Sequence, residues 1–361
     1  STPTARETTM PMKYDVLGKT GLRISELALG AGTFGVDDWG ATTQVAAQLI
    51  DTYAQAGGNF LDTGNVYGGG RSEECLGTVL TGPRRDHFVL ATKYNAMTTP
   101  GDVNSAGNHR KNLVASLEAS LRRLRTDRID LLWLHARDAL TPVEEVMRAL
   151  DDQIRAGKIL YVGASNWPAW EISRANMLAE LRGWSAFAGL QARYNLLDRT
   201  PERDLLPMAA TCDVSVFAWG ALAEGRLTGK YLRGERGRLT VENWAGDNDH
   251  DTTLVREVVR IADEGGWTPA QVALAWLRTR PHPVLPILGA TRPEQLNDTL
   301  ASLDVTLDTE HTTHLDTLST PTLGFPRDLM RHPKYTRGAY GDRWQDIERR
   351  RPPTRTVTDV L

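Results

Sequence analysis

This sequence of 361 residues has little cysteine and no long apolar run. Its two cysteines, Cys75 and Cys212, belong to no CxxC or Cys/His cluster, which favours a reducing compartment and predicts no zinc or other metal site. No run of about 18 apolar residues suggests a membrane span, and the polar N-terminus lacks the pattern of a signal peptide. We therefore expect a cytoplasmic protein without a membrane segment.

A strong excess of either charge is also missing. The formal net charge is −3 and the pI is near 6.3, so there is no broad basic field for nucleic acid or acidic membranes. A small-molecule partner is the default expectation, and the oligomeric state cannot be predicted from these features. Lysine itself is scarce, since only seven of the 42 basic residues are lysines. A lysine at the end of an apolar strand, such as Lys93, therefore requires an explanation.

What the sequence does contain is a regular alternation of strand-like and helix-like segments. Eight apolar or β-rich runs lie at residues 26–30, 59–62, 88–93, 129–135, 159–165, 186–193, 215–219 and 284–288. Helix-period segments separate them, and Thr141-Pro142 and Thr268-Pro269 each place an N-cap residue before a proline suited to the first helical position. Eight β/α units without a break in composition predict an α/β fold, a closed (β/α)8 TIM barrel, with an open doubly wound sheet as the alternative.

Three further segments flank or interrupt the eight units. A Gly-Lys-Thr-Gly turn between Tyr14 and Ile24 predicts an N-terminal β-hairpin. Residues 220–251, after the seventh strand, are Gly-rich and charged, so we expect a functional loop over the barrel mouth. We assign residues 12–327 to the barrel domain, and residues 328–361 to an extended, arginine-rich tail that packs on the barrel or projects from it.

Two glycine-rich stretches resemble nucleotide-binding motifs but depart from them. Residues 30–35 fit GxGxxG after a strand, yet Asp-Asp-Trp-Gly at 37–40 prevents the helix from starting at once. Residues 225–230 resemble a P-loop, but one residue is missing between the glycines and Tyr231 stands where Ser or Thr belongs. Both motifs are therefore rejected. What remains is Lys230 in a glycine-rich loop, where a lysine can contact a phosphate.

Ionisable residues end three consecutive apolar strands. Asp62 ends the second strand, Lys93 the third and His135 the fourth, while Tyr67 lies on the loop after the second. A single residue of this kind is more often structural, but three in succession are hard to explain by packing, since a buried charge is costly unless it is paired. Converging at one barrel end, the four form a proton-transfer device. In it, an ammonium held by a carboxylate favours the phenolate form, and the imidazole orients a substrate oxygen.

At these motifs the sequence resembles the aldo-keto reductase superfamily, in particular a longer-chain bacterial branch similar to the potassium-channel β-subunits. The likeness runs from about residue 14 to residue 327, and its motifs are LDTGNVYG at 61–68, ATK at 91–93, LH at 134–135, GASNW at 163–167, Gln191 and LTGKY at 227–231. It implies a barrel that binds NADPH across its C-terminal mouth without a Rossmann domain. It also implies that Tyr67 is the general acid, tuned by Lys93 and Asp62. His135 then orients the carbonyl that accepts a hydride from nicotinamide C4.

The same resemblance implies a cofactor site built from three groups of residues. Groups for the nicotinamide end of the cofactor come from the ends of the fifth, sixth and seventh strands: Ser165, Asn166, Gln191 and Trp219. Groups near the pyrophosphate lie on the loop after the seventh strand: Leu222, Gly225 and Lys230. Groups near the adenosine and its 2′-phosphate open the helix after the eighth strand: Gly289, Thr291, Arg292, Gln295 and Asp298. A helix N-terminus favours a phosphate through its free N–H groups and its dipole.

The sequence departs from the family pattern at three of these places. The family often has arginine where Thr291 stands, and Glu-Asn at the positions of residues 298–299. The usual Ser-Pro after the stacking aromatic residue is replaced by Gly-Ala at 220–221. Arg292 is the candidate to replace the missing cation, so the expected preference for NADPH over NADH depends on it.

Aromatic residues that follow predicted strand ends are the candidates for the substrate pocket: Phe34, Trp39, Tyr94 and Trp167. The alternative is that one or two of them only pack the rim of the barrel. We predict an NADPH-dependent oxidoreductase that reduces an aldehyde, a ketone or a keto-sugar to the alcohol. The alternative from another class is an NADP(H)-binding redox-sensing scaffold or regulatory subunit with little turnover.

Overall fold

The computed structural model describes residues 11–36, 39–235 and 249–347. Near its start, β1 (Tyr14–Val16) pairs antiparallel with β2 (Arg23–Ser25). The side chains of Leu17 and Ile24 are fully buried in a cluster with Phe60, the first residue of a barrel strand. The predicted hairpin is therefore confirmed, and it covers the amino-terminal end of the barrel.

Eight parallel strands form a closed barrel, in the order in which they follow along the chain. They are β3 (Ala28–Gly30), β4 (Phe60–Asp62), β5 (Val89–Tyr94), β6 (Ile129–Leu134), β7 (Ile159–Ser165), β8 (Phe187–Arg193), β9 (Ser215–Trp219) and β10 (Val284–Gly289). The barrel closes because β10 pairs with both β9 and β3. The predicted TIM barrel is confirmed, and the open sheet is excluded.

The strands alternate their side chains between the barrel interior and the surrounding helices. In β5, Val89 and Ala91 belong to the interior cluster, whereas Leu90 and Tyr94 belong to the cluster that packs against helices. The same alternation directs Lys93 into the barrel, close to the carboxyl end of the strand. The position of a residue along its strand thus decides whether it can contribute to a site at the mouth.

Helices follow the strands and cover the barrel. They are Thr43–Gln55, Arg71–Val79, Pro83–His87, Arg110–Leu124, Val143–Arg155, Ala169–Arg182, Leu205–Cys212, Asp249–Gly265, Pro269–Arg278, Pro293–Leu300 and Thr309–Leu318. Among the described residues, no helix combines the length and the apolarity that a bilayer span needs.

The two predicted helix starts have different outcomes. Thr268 caps its helix through a capping box with Gln271, as the sequence predicts. The prediction for Thr141 is wrong, because Pro142 is the N-cap residue and makes no side-chain cap bond. The hydroxyl of Thr141 instead donates to the carboxylate of Asp138, 2.5 Å away. The hydroxyl thus donates to a carboxylate, whereas an N-cap hydroxyl would accept from a backbone N–H of the helix.

The two irregular segments contain more helix than the sequence indicates. Short 3₁₀ helices at Ala223–Thr228 and Lys230–Arg233 follow β9, and residues 236–248 of the predicted loop lie outside the described residues. The tail begins with helices Arg327–Arg331 and Pro333–Tyr340, so its first part is not extended as predicted. Proline at the start of the second helix fits the first turn, where no N–H bond is lost. Residues 348–361 are outside the described part.

Candidate active site

A buried ion pair occupies the mouth of the barrel. Lys93 is 0% exposed and Asp62 3% exposed, and the Lys93 ammonium donates to the Asp62 carboxylate and to the carbonyl of Thr63, the latter over 2.8 Å. The Nε2 of Gln191 donates to the other carboxylate oxygen of Asp62 over 3.0 Å. Burial disfavours the charged lysine, but Asp62 and Tyr67 together outweigh burial, so the pKa of Lys93 lies above its ordinary value. The cation is thus fixed inside the barrel by two hydrogen bonds of its own, and Gln191 holds the carboxylate that pairs with it.

The phenol of Tyr67 lies beside this cation. Tyr67 opens the 3₁₀ turn Tyr67–Gly70, and the Lys93 ammonium lies 4.8 Å from the centre of its ring. The ring of His135 meets it edge to face, with 5.7 Å between ring centres. A Cβ on Gly64 would lie 3.3 Å from the Tyr67 ring, so this glycine lets the ring pack against the backbone. The structure therefore brings the four predicted ionisable residues together.

His135 follows β6 and is held by its backbone. Its N–H donates to the carbonyl of Tyr94 over 2.9 Å. Burial, and then the charge of Lys93, lower the pKa of His135 from 6.5 to about 4, so the ring is neutral near pH 7. Its Nδ1 is buried and has no hydrogen-bond partner among the described residues. A neutral imidazole with an unused polar atom is suited to bonding an added polar group.

Behind Lys93, a helix supports the strand through a buried carboxylate. Glu73 is fully buried, accepts from the hydroxyl of Thr92 over 2.6 Å and accepts from Nε of Arg123 over 2.7 Å. Thr92 points outward from β5 and therefore meets the helix, whereas Lys93 points inward. The sequence analysis missed this contact. A signal was present, because Glu73 lies between Ser72 and the apolar residues on the buried face of its helix.

Asn166 connects the ends of β6, β7 and β9. It adopts a left-handed φ of 57°, which asparagine tolerates better than most residues. Its Nδ2 donates to the carbonyl of His135 over 2.8 Å and to the hydroxyl of Ser165 over 3.1 Å. Its Oδ1 accepts from the indole N–H of Trp219 over 3.1 Å. Ser165, Asn166 and Trp219 thus form one bonded group next to His135.

A second residue that the sequence analysis missed lies over the indole. The guanidinium of Arg193 lies 5.8 Å from the ring centre of Trp219, and its Nε donates to Asp198 over 2.7 Å. Together with Asn166 and Thr200 they line a cleft of about 310 Å³. The signal was the same as for Lys93, because Arg193 is a charged residue at the end of an apolar strand.

On the loop after β9, the ammonium of Lys230 lies against the backbone of Gly225. Gly225 has a φ of 89°, which favours glycine, and a Cβ there would lie 2.5 Å from the Lys230 ammonium, so the lysine side chain would have to shift. The ammonium also lies 5.0 Å from the ring centre of Tyr231. In the part of the chain that the structure describes, no carboxylate pairs with Lys230. Leu222, half-buried, begins this turn, so the three predicted pyrophosphate residues lie in one short segment.

After β10, Thr291 and Gln295 bond each other, whereas the side chain of Arg292 is exposed. The side-chain oxygen of Gln295 accepts from the N–H and the hydroxyl of Thr291, over 2.9 and 3.0 Å, and so closes the turn that follows Gly289. Arg292, the N-cap residue of helix Pro293–Leu300, is exposed and makes no side-chain cap bond.

The carboxylate of Asp298 already accepts hydrogen bonds from another helix. It accepts from Gln271 over 2.9 Å and from Thr268 over 3.2 Å, at the start of the neighbouring helix. Burial outweighs these bonds and raises the pKa of Asp298 above its ordinary value. The geometry therefore favours a structural role for Asp298 over the predicted cofactor contact.

Three of the four predicted pocket aromatics are core residues. Phe34, Tyr94 and Trp167 are 0%, 1% and 4% exposed and pack within the core cluster, so this structure does not support their placement in a substrate pocket. Tyr94 fails because it follows an inward residue and must point towards the helices, where it donates to the carbonyl of Asn108. Only Trp39 of the four is partly exposed. No cluster of metal-binding side chains occurs in the described ranges.

Comparison with known proteins assigns this barrel to a family. Residues 26–320 match the Aldo/keto reductase family. The uncharacterized oxidoreductase YrpG of Bacillus subtilis is 37% identical over 83% of this chain and 93% of its own length. The putative aryl-alcohol dehydrogenase AAD14 of Saccharomyces cerevisiae is 33% identical over 87% and 89%, and the norsolorinic acid reductase stcV of Emericella nidulans is 36% identical over 86% and 82%. The chain is an oxidoreductase that belongs to the aldo/keto reductase family.

Proposed function

We propose that this protein reduces a carbonyl compound to the alcohol, with NADPH as the hydride donor and Tyr67 as the general acid. The observation that carries the proposal is the cluster of Asp62, Tyr67, Lys93 and His135 at one end of the barrel, in which the ion pair is buried and the two rings are partly exposed. The names of similar proteins, an aryl-alcohol dehydrogenase and a norsolorinic acid reductase, describe activities of those proteins and support the reaction class. The substrate class we propose is an aldehyde, a ketone or a keto-sugar.

The residues at the mouth suit a nicotinamide at one end of the cofactor. Gln191 uses its Nε2 on Asp62, which leaves its side-chain oxygen to accept from a carboxamide NH₂. Ser165 can bond the same carboxamide, and Asn166 holds the indole of Trp219 at the mouth. The ring of Trp219 is half-buried, so part of its surface is open to stacking. When bound, the nicotinamide supplies the hydride that the carbonyl carbon accepts.

The phosphate end is suited to the basic residues of the loops. Lys230 has no carboxylate partner among the described residues, and its ammonium is held in place over Gly225. Arg292 is exposed at a helix N-terminus, where free N–H groups and the dipole favour a phosphate. We therefore assign the pyrophosphate to Lys230 and the 2′-phosphate to Arg292, with Thr291 and Gln295 shaping the turn between strand and helix.

The four side chains have distinct roles in the proton transfer. His135 is neutral, so it can donate a hydrogen bond that orients the carbonyl oxygen. Tyr67 gives its hydroxyl proton to that oxygen as the carbon gains the hydride, and the phenolate that remains is stabilised by the Lys93 ammonium. Asp62 holds Lys93 charged and in place. A proton from solvent then restores the tyrosine.

Replacing Tyr67 by phenylalanine tests this assignment. We expect Tyr67→Phe to lower kcat about 10²- to 10⁴-fold and to leave the Kd for NADPH unchanged, because only the acid is lost. The matched control is Tyr94→Phe, which removes a nearby hydroxyl that bonds a backbone carbonyl. Stopped-flow or steady-state turnover of an aldehyde and keto-sugar panel, with NADPH titrated by tryptophan fluorescence, gives both numbers.

Two outcomes would contradict the proposal. Full turnover by Tyr67→Phe would remove the general acid from this position. Binding of NADPH without turnover of any carbonyl by the unmodified protein would favour the redox-sensing scaffold instead.

A further inference from the structure

A second cleft lies among the helices that surround the barrel, and its lining reaches Gly35 and Arg71, which adjoin the turn that holds Tyr67. Its volume is about 560 Å³, and it lies among helices Thr43–Gln55, Arg71–Val79 and Arg110–Leu124. Its lining includes four arginines and one carboxylate: Arg71, Arg122, Arg123, Arg125 and Glu74. None of these residues belongs to the catalytic cluster or to the proposed cofactor site.

Ordinary structural roles explain only part of this arginine cluster. Arg123 forms an ion pair with the buried Glu73, and arginines in the last turn of a helix stabilise its C-terminus. Arg125, however, lies one residue beyond the helix, with a φ of 52°, at a position where glycine is the usual residue. Arg122 and Arg125 are both exposed, and neither forms an ion pair with the residues that the structure describes.

The charge and size of the cleft indicate its ligand. The chain as a whole carries a net charge of −3, so a concentration of arginines in one cleft is a local feature. A guanidinium binds phosphate through two parallel N–H bonds, and a cleft of about 560 Å³ is of the size that accepts small molecules. We propose that this cleft binds a phosphorylated small molecule. Arg122 and Arg125 contact the phosphate, and Glu74 and Thr43 bond hydroxyl groups on the rest of the ligand.

Inorganic pyrophosphate is the probe that tests the site. Isothermal titration of the full chain, with saturating NADPH in the proposed cofactor site, should show saturable binding of one pyrophosphate. The double variant Arg122→Gln/Arg125→Gln should weaken it at least about tenfold, because two charge-assisted contacts are lost. Arg182→Gln is the matched control, since Arg182 is an exposed arginine in the last turn of another helix, Ala169–Arg182. This variant should bind as the unmodified protein does.

Two more variants decide where the pyrophosphate lies. Lys230→Gln/Arg292→Gln removes the cations of the proposed cofactor site, so retained binding supports the cleft. Loss of binding in that variant alone would place pyrophosphate at the mouth and overturn the proposal. Thr78→Glu adds a carboxylate to the cleft without removing an arginine, and it should also weaken binding.

The remaining outcomes are equally decisive. If the unmodified protein shows no saturable binding of pyrophosphate, the proposal is overturned. If Arg182→Gln weakens binding as much as the double variant does, the binding reflects only general electrostatic attraction, and the proposal is overturned as well. Binding that survives both Thr78→Glu and the arginine double variant would do the same.

Discussion

The two lysines at the mouth of the barrel are held in opposite ways. Lys93 lies on a strand, is 0% exposed and bonds Asp62 and the backbone of Thr63, so its charge is compensated before any ligand arrives. Lys230 lies on a loop, is partly exposed and rests on Gly225 and an aromatic ring. The proposed catalytic cluster is therefore preorganised by the sheet, whereas the proposed cofactor groove has charges that a phosphate can still satisfy.

Replacing each lysine should test this difference between the two most clearly. Lys93→Met leaves the buried Asp62 carboxylate without its cation, and we expect it to lower the free energy of unfolding by about 3–5 kcal/mol. Lys230→Met, the matched change on the loop, should alter the free energy of unfolding by no more than about 0.5 kcal/mol while it raises the Kd for NADPH about tenfold. Urea denaturation of both variants, with cofactor titrations, measures the two effects.

The two lysine variants could also behave alike. Equal stability losses, or a Kd for NADPH that Lys230→Met leaves unchanged, would mean that the loop lysine is structural and that our division of the mouth is wrong.

The pH dependence of stability tests the burial of His135. Its pKa is about 4 in the folded protein and near 6.5 when unfolded, so between these values the unfolded chain binds the extra proton. Stability therefore falls as the pH drops from 6.5 to 4 and does not change further, through this group, below that. After allowance for partial exposure, we expect a loss of about 2 kcal/mol that His135→Gln does not show. Parallel urea titrations at pH 7 and pH 4 give the difference, and equal losses in both proteins would contradict it.

The strand-borne part of the site could be predicted from the sequence because it follows from a pattern of period two. Asp62, Lys93 and His135 each end an apolar run, and parallel strands bring their carboxyl ends to one edge. The same alternation could have placed Tyr94 in the core, since it follows the inward Lys93. The position of Glu73 on the apolar face of its helix indicates that its carboxylate is buried, but the choice of Thr92 as its partner depends on how the helix lies along the strand.

The loop-borne part of the site could be predicted only in outline. The glycine-rich pattern around Lys230 predicts a lysine on a loop. The contact between its ammonium and Gly225, however, depends on a positive φ at Gly225 that no simple motif specifies. The resemblance implies a cofactor contact for Asp298, yet its carboxylate accepts hydrogen bonds from Thr268 and Gln271 at the start of the neighbouring helix. Such contacts join segments about 30 residues apart, which local patterns cannot describe.

Asp298, near the proposed cofactor groove, should give a smaller effect on stability than Lys93 or His135. Asp298→Ala should lower the free energy of unfolding by about 1 kcal/mol, because a helix start loses bonded acceptors, and it should leave the Kd for NADPH within about twofold. The matched control is Asp308→Ala, which removes the N-cap acceptor of helix Thr309–Leu318. Thermal unfolding and cofactor titration of both variants suffice. A selective rise of tenfold or more in the Kd of Asp298→Ala would return Asp298 to the cofactor site.

Replacing Arg292 should change the Kd for NADPH less than replacing Lys230 does, because its guanidinium is exposed and water weakens its attraction to a phosphate. Arg292→Gln should raise the Kd for NADPH up to about fivefold, since an exposed ion pair between a guanidinium and a phosphate contributes about 0.2–1 kcal/mol. NADH lacks the 2′-phosphate and is the internal control, so its Kd should not change. Added salt should shrink the NADPH effect, because an exposed charge is screened. An equal rise for both nucleotides would locate Arg292 near the pyrophosphate, whereas a preference for NADPH that survives the substitution would mean that the groove recognises the 2′-phosphate through the helix N–H groups alone.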